Sequence, residues 1–187
     1  MRNFISEDDI EQAILQKLEG DPFQYGILRC DPSPDKRELL PDGTGRSSKK
    51  ECVLPLILRE ALARLNPDIP GEKLEEIARD LCRDFSATDM TATNYKYYNQ
   101  IRNGIKISLR RNGKEDFDFV KLVDFDRPEN NTFTAVSQMW IQGRVYWRRP
   151  DVLIFINGLP MVFVELKNSI VNYESLTANE KENIRAT

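Results

Sequence analysis

Along the first half of the chain, apolar residues recur at helical spacing. Ile10, Ile14, Leu15 and Leu18 fall on one face of segment 5–19. Ser6 and Asp9 stand in capping-box spacing at its start, and Gly20 stops it. Residues 51–65 form a second, strongly apolar helical segment. Its regular part should begin at Pro55, because proline is tolerated in a first turn but not in an interior, and Asn66-Pro67 ends it. A third helix is expected over 71–84, with Leu74, Ile77, Ala78 and Leu81 facing inward. Between the first two lies 31–50, DPSPDKRELLPDGTGRSSKK, whose Pro, Gly and Ser content predicts an exposed loop.

From residue 95 the pattern reads as strands. Ile105, Ile107 and Leu109 alternate with polar residues, and Phe117, Phe119, Lys121-Leu122-Val123 and Phe125 continue in the same style. Residues 133–141 and 144–147 add strand segments around a turn at Gln142-Gly143. A hairpin follows over 151–167, turning at Asn157-Gly158, a strong short-range hairpin signal. The polar tail 169–187 reads as a loop entering a helix. The order is helices first, then a mainly antiparallel sheet, then a closing helix.

Composition narrows the chemistry. The chain has 187 residues, 40% hydrophobic and 30% charged, enough for one soluble domain with a real core. No window approaches the roughly 18 consecutive apolar residues of a membrane span. The acidic N-terminus resembles neither a signal nor a transit peptide. Cys30, Cys52 and Cys82 are odd in number and far apart, so they read as reduced thiols of a cytoplasmic protein. There is no histidine, which excludes Ser-His-Asp and Cys-His nucleophile systems and every His-ligated zinc site. Gly43 to Lys49 lacks the spacing of a phosphate loop, and no apolar strand precedes it. The net charge of −3 means that any affinity for nucleic acid must come from local patches or from other domains.

Against this background one cluster stands out. In RRPDVLIFINGLPMVFVELKN, residues 148–168, Asp151, Glu165 and Lys167 sit on two otherwise apolar strands. Charge in a low-dielectric site is costly unless paired, and a divalent metal or a catalytic site is the usual reason for keeping it. Glu165 and Lys167 are two apart and share a face, with Met161 and Phe163 before them; Val162, Val164 and Leu166 should face the core. A strict two-residue Asn157-Gly158 connection would place Asp151 opposite Val164. A three-residue connection, a bulge or a bent strand would place it opposite Glu165. The site reading therefore requires one of these irregularities. Two carboxylates, a backbone carbonyl such as that of Leu166, and water would suit Mg²⁺, with Mn²⁺ as an alternative. Lys167 could then stabilise charge on a phosphate undergoing hydrolysis. The competing reading is an edge-strand ion pair between Glu165 and a neighbouring arginine, with Lys167 solvated.

Pro150-Asp151, a hairpin and Glu165-Leu166-Lys167 resemble the signature of PD-(D/E)xK nucleases. The longer run RPD…NGLP…ELKN, with Leu65-Asn66-Pro67 upstream, is similar to the nuclease domain at the N-terminus of type I restriction enzyme R subunits. The likeness covers roughly residues 50–168. It implies an α/β fold: a restriction-endonuclease-like three-layer α/β/α core with a mixed, mainly antiparallel sheet. On this view 1–50 is an N-terminal helix and exposed loop packed on a core formed by 51–187, and the chain is the N-terminal fragment of a much longer one. Asp151 and Glu165 would be metal ligands and Lys167 the catalytic lysine. The implied activity is type I site-specific deoxyribonuclease, cutting double-stranded DNA with Mg²⁺. Methyltransferase and specificity subunits would be partners, and ATP would serve only a translocase later in the full-length subunit, with no site in this chain. Many relatives carry Gln-x-x-x-Tyr on the helix after the ELK strand, and no such motif occurs between Lys167 and Thr187.

Other candidates follow from charge and position. Glu60, in the helix 51–65, could be the accessory glutamate that some of these nucleases take from an early helix, or simply a solvated residue. Arg102, Lys106, Arg110 and Arg111, with Arg144, Arg148 and Arg149, are candidate phosphate contacts, or else part of a solvated strand face. A stand-alone repair or junction nuclease, or a non-catalytic docking domain, would fit the same residues.

Overall fold

A computed structural model describes residues 6–83, 89–111 and 114–167. In chain order the elements are helix α1 (Glu7–Glu19), strand β1 (Gly26–Arg29), helices α2 (Pro55–Leu65), α3 (Gly71–Leu81) and α4 (Met90–Asn103), and strands β2 (Ile105–Arg111), β3 (Lys114–Val120), β4 (Phe133–Ser137), β5 (Ile141–Gln142), β6 (Trp147–Arg148), β7 (Val152–Ile156) and β8 (Leu159–Val164). The expected helix 169–187 lies outside the described residues. The fold is mixed α/β.

The main sheet has the order β1-β4-β7-β8. Strand β1 runs parallel to β4, and the other pairs are antiparallel. Alternation along the strands gives the sheet two apolar faces. On one, Ala135 and Val152 pack with Leu15 of α1, joined by Ile27, Ile154, Val164 and Leu18. On the other, Val136, Leu153 and Phe155 pack with Leu54 and Ile57 at the start of α2. A second core gathers α2, α3 and the inner face of the β2–β3 ribbon, including Leu58, Leu62, Ile77, Leu109 and Val120.

Local sequence explains the ends. Ser6 Oγ accepts the Asp9 N–H at 3.1 Å, and Asp9 accepts the Ser6 N–H at 2.9 Å, closing the capping box of α1. Helix α2 begins at Pro55, as the proline requires, and stops at Asn66. All four residues expected inward on α3 are buried.

The differences have physical causes. The four-residue β1 is too short to announce itself by alternation. The strand pattern from residue 95 is corrected: 90–103 is helix α4, so Arg102 lies on a helix. Its Tyr and Thr content favours strand, but Tyr97 and Ile101, four apart, dock on the core and override propensity. The 133–141 segment breaks at Gln138, whose φ is +57°, and 121–125 is not strand.

The 31–50 loop is irregular but not simply exposed. Arg46 and Lys49 are buried with Asp42, whose Oδ2 lies 2.6 Å from Arg46 Nη2 and 2.7 Å from Lys49 Nζ. Burial opposes ionisation of Asp42, but the Lys49, Thr44 and Arg46 donors outweigh it and hold the carboxyl well below the usual range. Arg46 also donates to the carbonyls of Glu51 and Trp140, so the loop is pinned to the body.

Two predictions follow from these contacts. Asp42→Asn strands two buried cations and should cost about 3–5 kcal/mol in urea unfolding. A loss below ~1 kcal/mol would show that the cluster is solvated. At the hairpin turn, a Cβ on Gly158 would lie 2.6 Å from the Leu54 carbonyl oxygen at a φ of +80°. Gly158→Ala should therefore separate α2 from the turn at a cost of about 3 kcal/mol, read as loss of amide-exchange protection in both. Unchanged protection in α2 would disprove that coupling.

Candidate active site

The hairpin that carries the acidic residues is anchored at its far end. Asn157 is fully buried with φ +53°. Its Oδ1 accepts the Thr132 N–H at 2.8 Å, and its Nδ2 donates to the Leu122 carbonyl at 2.9 Å and to Asn131 Oδ1 at 2.8 Å. Leu54 N–H donates to the Gly158 carbonyl at 2.8 Å. The connection is a two-residue turn, with Ile156 opposite Leu159.

The register then shifts. Phe155 pairs with Pro160, but Ile154 pairs with Val162, so Met161 is the extra residue of a bulge. Beyond it Val152 faces Val164, which leaves Asp151 and Glu165 as the next cross-strand neighbours. The bulged connection required by the site reading is present.

Asp151 is half-buried. Its Oδ2 accepts the Leu166 N–H at 2.6 Å, tying the start of one strand to the end of the other. Its Oδ1 lies 3.4 Å from Gln138 Nε2, and its carbonyl accepts the Gln138 N–H at 3.0 Å. Glu165 Oε1 accepts from Lys167 Nζ at 3.0 Å. The Glu165 side chain is 32% exposed and that of Lys167 62%, so both face solvent beside Asp151. One expectation fails here: Val162 is exposed rather than core, as are Met161 and Phe163, because β8 is the edge of the sheet.

The structure adds a residue that the sequence reading missed. Glu11, on α1, is only 5% exposed, and its Oε2 accepts from Gln138 Nε2, the same amide nitrogen that approaches Asp151. Burial pushes the Glu11 carboxyl up against that hydrogen bond, and the negative charges of Asp151 and Asp8 push it further. Gln138 Oε1 is buried with no hydrogen-bond partner among the described residues. A signal did exist: Glu11 stands four and seven residues before Leu15 and Leu18, on the buried stripe of the helix.

Glu60 belongs elsewhere. It is exposed on α2, whose N-terminus meets the Gly158 turn. That turn lies at the opposite end of five-residue β7 from Asp151, about 20 Å away at strand rise. The candidate basic residues are dispersed. Arg102 donates to Tyr98 Oη at 3.0 Å, and Lys106 lies 4.2 Å over the Phe117 ring, opposite Phe119 on the outer face of the ribbon. Arg110 pairs across that ribbon with Glu115. Arg111 ends β2, and its side chain lies outside the described residues. Arg149 is held on the body, 5.3 Å over Trp140 and donating to the Pro32 carbonyl at 2.8 Å. Arg144 and Arg148 are exposed.

The candidate ligand atoms near Asp151 are carboxylate, carbonyl and amide oxygens, the set preferred by hard divalent cations. Among the described residues no three His, Cys, Asp or Glu side chains form a ligand cluster. The available set is therefore Asp151 and Glu165, with the Leu166 carbonyl, Glu11 and the unpartnered Gln138 Oε1 in reserve. Cys30 is buried, Cys52 exposed and Cys82 half-buried, all free thiols. Among the described residues no helix is long and apolar enough to cross a membrane.

Comparison with known proteins gives a consistent picture. The profile of the family described as type I restriction enzyme R protein N terminus matches residues 4–185. The type I restriction enzyme HindI endonuclease subunit of Haemophilus influenzae is 32% identical over 167 residues, 89% of this chain and 15% of that protein. A Methanocaldococcus jannaschii protein, provisionally named type I restriction enzyme MjaIXP endonuclease subunit, is 28% identical over 167 residues, covering 85% of this chain and 15% of its own length.

The raised Glu11 carboxyl has a signed consequence. The folded state holds that proton more tightly than the unfolded chain, so this contribution is favourable at acid pH. It is lost as pH rises from the ordinary value of 4.5 through the folded value. Glu11→Gln should therefore raise the melting temperature near neutral pH, by about 2–4 °C per kcal/mol recovered, and do little in acid. A variant that melts lower at neutral pH would show that the Glu11 charge is stabilising.

Proposed function

The chain belongs to the family of type I restriction enzyme R protein N termini, and on that premise we propose that it is the metal-dependent endonuclease domain of an R subunit, hydrolysing phosphodiester bonds of duplex DNA. The observation that carries this reading is the bulge at Met161. It brings Asp151 into register with Glu165, beside Lys167, on two strands with few other charges. An edge-strand ion pair alone would need no such register, nor a buried glutamate sharing a glutamine with Asp151. The sheet with α1 on one face and α2 on the other is, on this reading, the three-layer α/β/α core of the PD-(D/E)xK nucleases.

The roles follow from chemistry. Asp151, Glu165 and the Leu166 carbonyl would hold Mg²⁺, or Mn²⁺ in its place, with Glu11 as the accessory carboxylate rather than Glu60. The cation would supply Lewis-acid polarisation of the phosphate and a lowered pKa for bound water. Leu166 N–H fixes the Asp151 carboxylate, and Gln138 orients Glu11 towards it. Lys167, half in solvent, carries the positive charge that would face the charge building on the phosphate. Arg102, Lys106, Arg110, Arg111, Arg144 and Arg148 would contribute weak phosphate contacts.

The chain spans about 15% of the length of the curated relatives it matches. We therefore assign ATP-driven translocation to the remainder of a longer cytoplasmic subunit. Sequence recognition and docking would belong to specificity and methyltransferase partners.

Mn²⁺ titration followed by calorimetry and by loss of the free-ion paramagnetic signal tests this. Wild type should bind and Asp151→Asn should not. Lys167→Ala should keep its metal affinity but cut plasmid DNA about 10²–10³-fold more slowly in the assembled subunit. Equal Mn²⁺ binding by wild type and Asp151→Asn, or none by either, would remove the basis for the proposal.

A further inference from the structure

Resting on the nuclease reading, we infer that the β5–β6 hairpin is a second duplex-DNA contact, with Arg144 and Arg148 on phosphates and Val145 and Tyr146 against the sugars and base edges of the adjoining groove. The hairpin is minimal: Ile141 pairs with Arg148 and Gln142 with Trp147, and Gly143 N–H donates to the Tyr146 carbonyl at 2.9 Å. A Cβ on Gly143 would lie 2.9 Å from that carbonyl oxygen, so glycine lets the two arms close. Such a ribbon is not stable alone.

Its base is nonetheless braced from several directions. Gln142 N–H donates to the Lys49 carbonyl at 2.9 Å. Trp147 meets Trp140 edge-on at 6.4 Å. Arg149 covers Trp140 at 5.3 Å, and Arg37 covers Trp147 at 5.4 Å while reaching Glu38 at 3.6 Å. These contacts hold the base and leave the tip bare. Val145 is 75% exposed and Tyr146 69%, side by side with Arg144.

A braced arm presenting apolar and basic side chains together has the chemistry of groove contact. Charge points the same way. From Gly143 to Arg149 there are three arginines and no acid, in a chain of net charge −3. Among the described residues neither Arg144 nor Arg148 has an acidic partner. The reach also fits. Arg148 is three residues from Asp151 and Val145 six, so the tip lies within about 20 Å of Asp151 along the chain, some six base-pair steps of ~3.4 Å. A duplex with a phosphate at Asp151 therefore needs only about half a helical turn to span the distance to the tip.

The test separates this contact from cleavage. Asp151→Asn serves as the parent chain in metal-free buffer, and binding of a short fluorescein-labelled duplex is followed by anisotropy across a salt series. Adding Arg144→Ala and Arg148→Ala should flatten the slope of log affinity against log salt by about 2, near 0.9 per phosphate lost. Adding Val145→Ser and Tyr146→Ser instead should weaken binding about tenfold at an unchanged slope. Neither pair should shift the melting temperature, since all four side chains are exposed. Binding unaltered by both pairs overturns the inference and leaves the tip as a surface for a protein subunit. Failure of the parent chain to bind at low salt overturns it as well. Failure of the chain that keeps Asp151 to bind Mn²⁺ bears on the nuclease reading and not on this contact.

Discussion

The constraint on which this molecule depends is the parity of one hairpin. Side chains alternate along a strand with period two, so a regular two-residue turn would send Asp151 and Glu165 to opposite faces. The turn is not free to lengthen. The Asn157 side chain is fully buried and held by three hydrogen bonds, and Gly158 lies so close to Leu54 and Leu58 that no side chain fits. The correction is made instead within β8, by the bulge at Met161. An edge strand can accommodate it, because its outer hydrogen-bonding groups face no further strand among the described residues. Pro160, which has no N–H to give, sits immediately before the bulge, where proline is tolerated in a sheet.

That division of labour explains what could be read from the sequence. Helices α1, α2 and α3 were legible because each carries an apolar stripe, joined by a capping box at α1 and a first-turn proline at α2. The Asn157-Gly158 turn and the need for an irregularity beyond it were legible from the positions of three charged residues. Helix α4 was hidden by its Thr and Tyr content, and β1 by its length. The 31–50 segment has the composition of a solvated loop, yet Asp42 gathers two cations inward. Composition cannot reveal this, because the partners are long side chains folding back on a turn.

The buried glutamate beside Asp151 is the more instructive miss. Glu60 stands in an early helix, where some of these nucleases carry a glutamate, but the face it occupies is outward and that helix serves the turn end of the hairpin. Glu11 looked like one acid among several at a helix start. Its phase with Leu15 and Leu18 places it under the sheet, at the end of β7 where Asp151 emerges. A buried carboxylate next to a second carboxylate is locally unfavourable. Natural proteins tolerate such conflicts mainly where a ligand relieves them. The unpartnered Gln138 Oε1 is a second unresolved group in the same place.

Charge distribution bears on how such a domain would work within a larger assembly. A net charge of −3 gives no general attraction to a polyanion, and the basic residues are spread over α4, the β2–β3 ribbon and the β5–β6 arm. Each exposed cation contributes little by itself, and that contribution falls as salt rises. Binding at physiological salt would therefore depend on DNA being held near the domain by other parts of the subunit, which replaces bulk DNA concentration with a local one. Weak intrinsic affinity would then act as a safeguard. A nuclease domain that binds little duplex by itself, and reads phosphates and groove walls rather than bases, would cut only where the remainder of the assembly presents the strand to it.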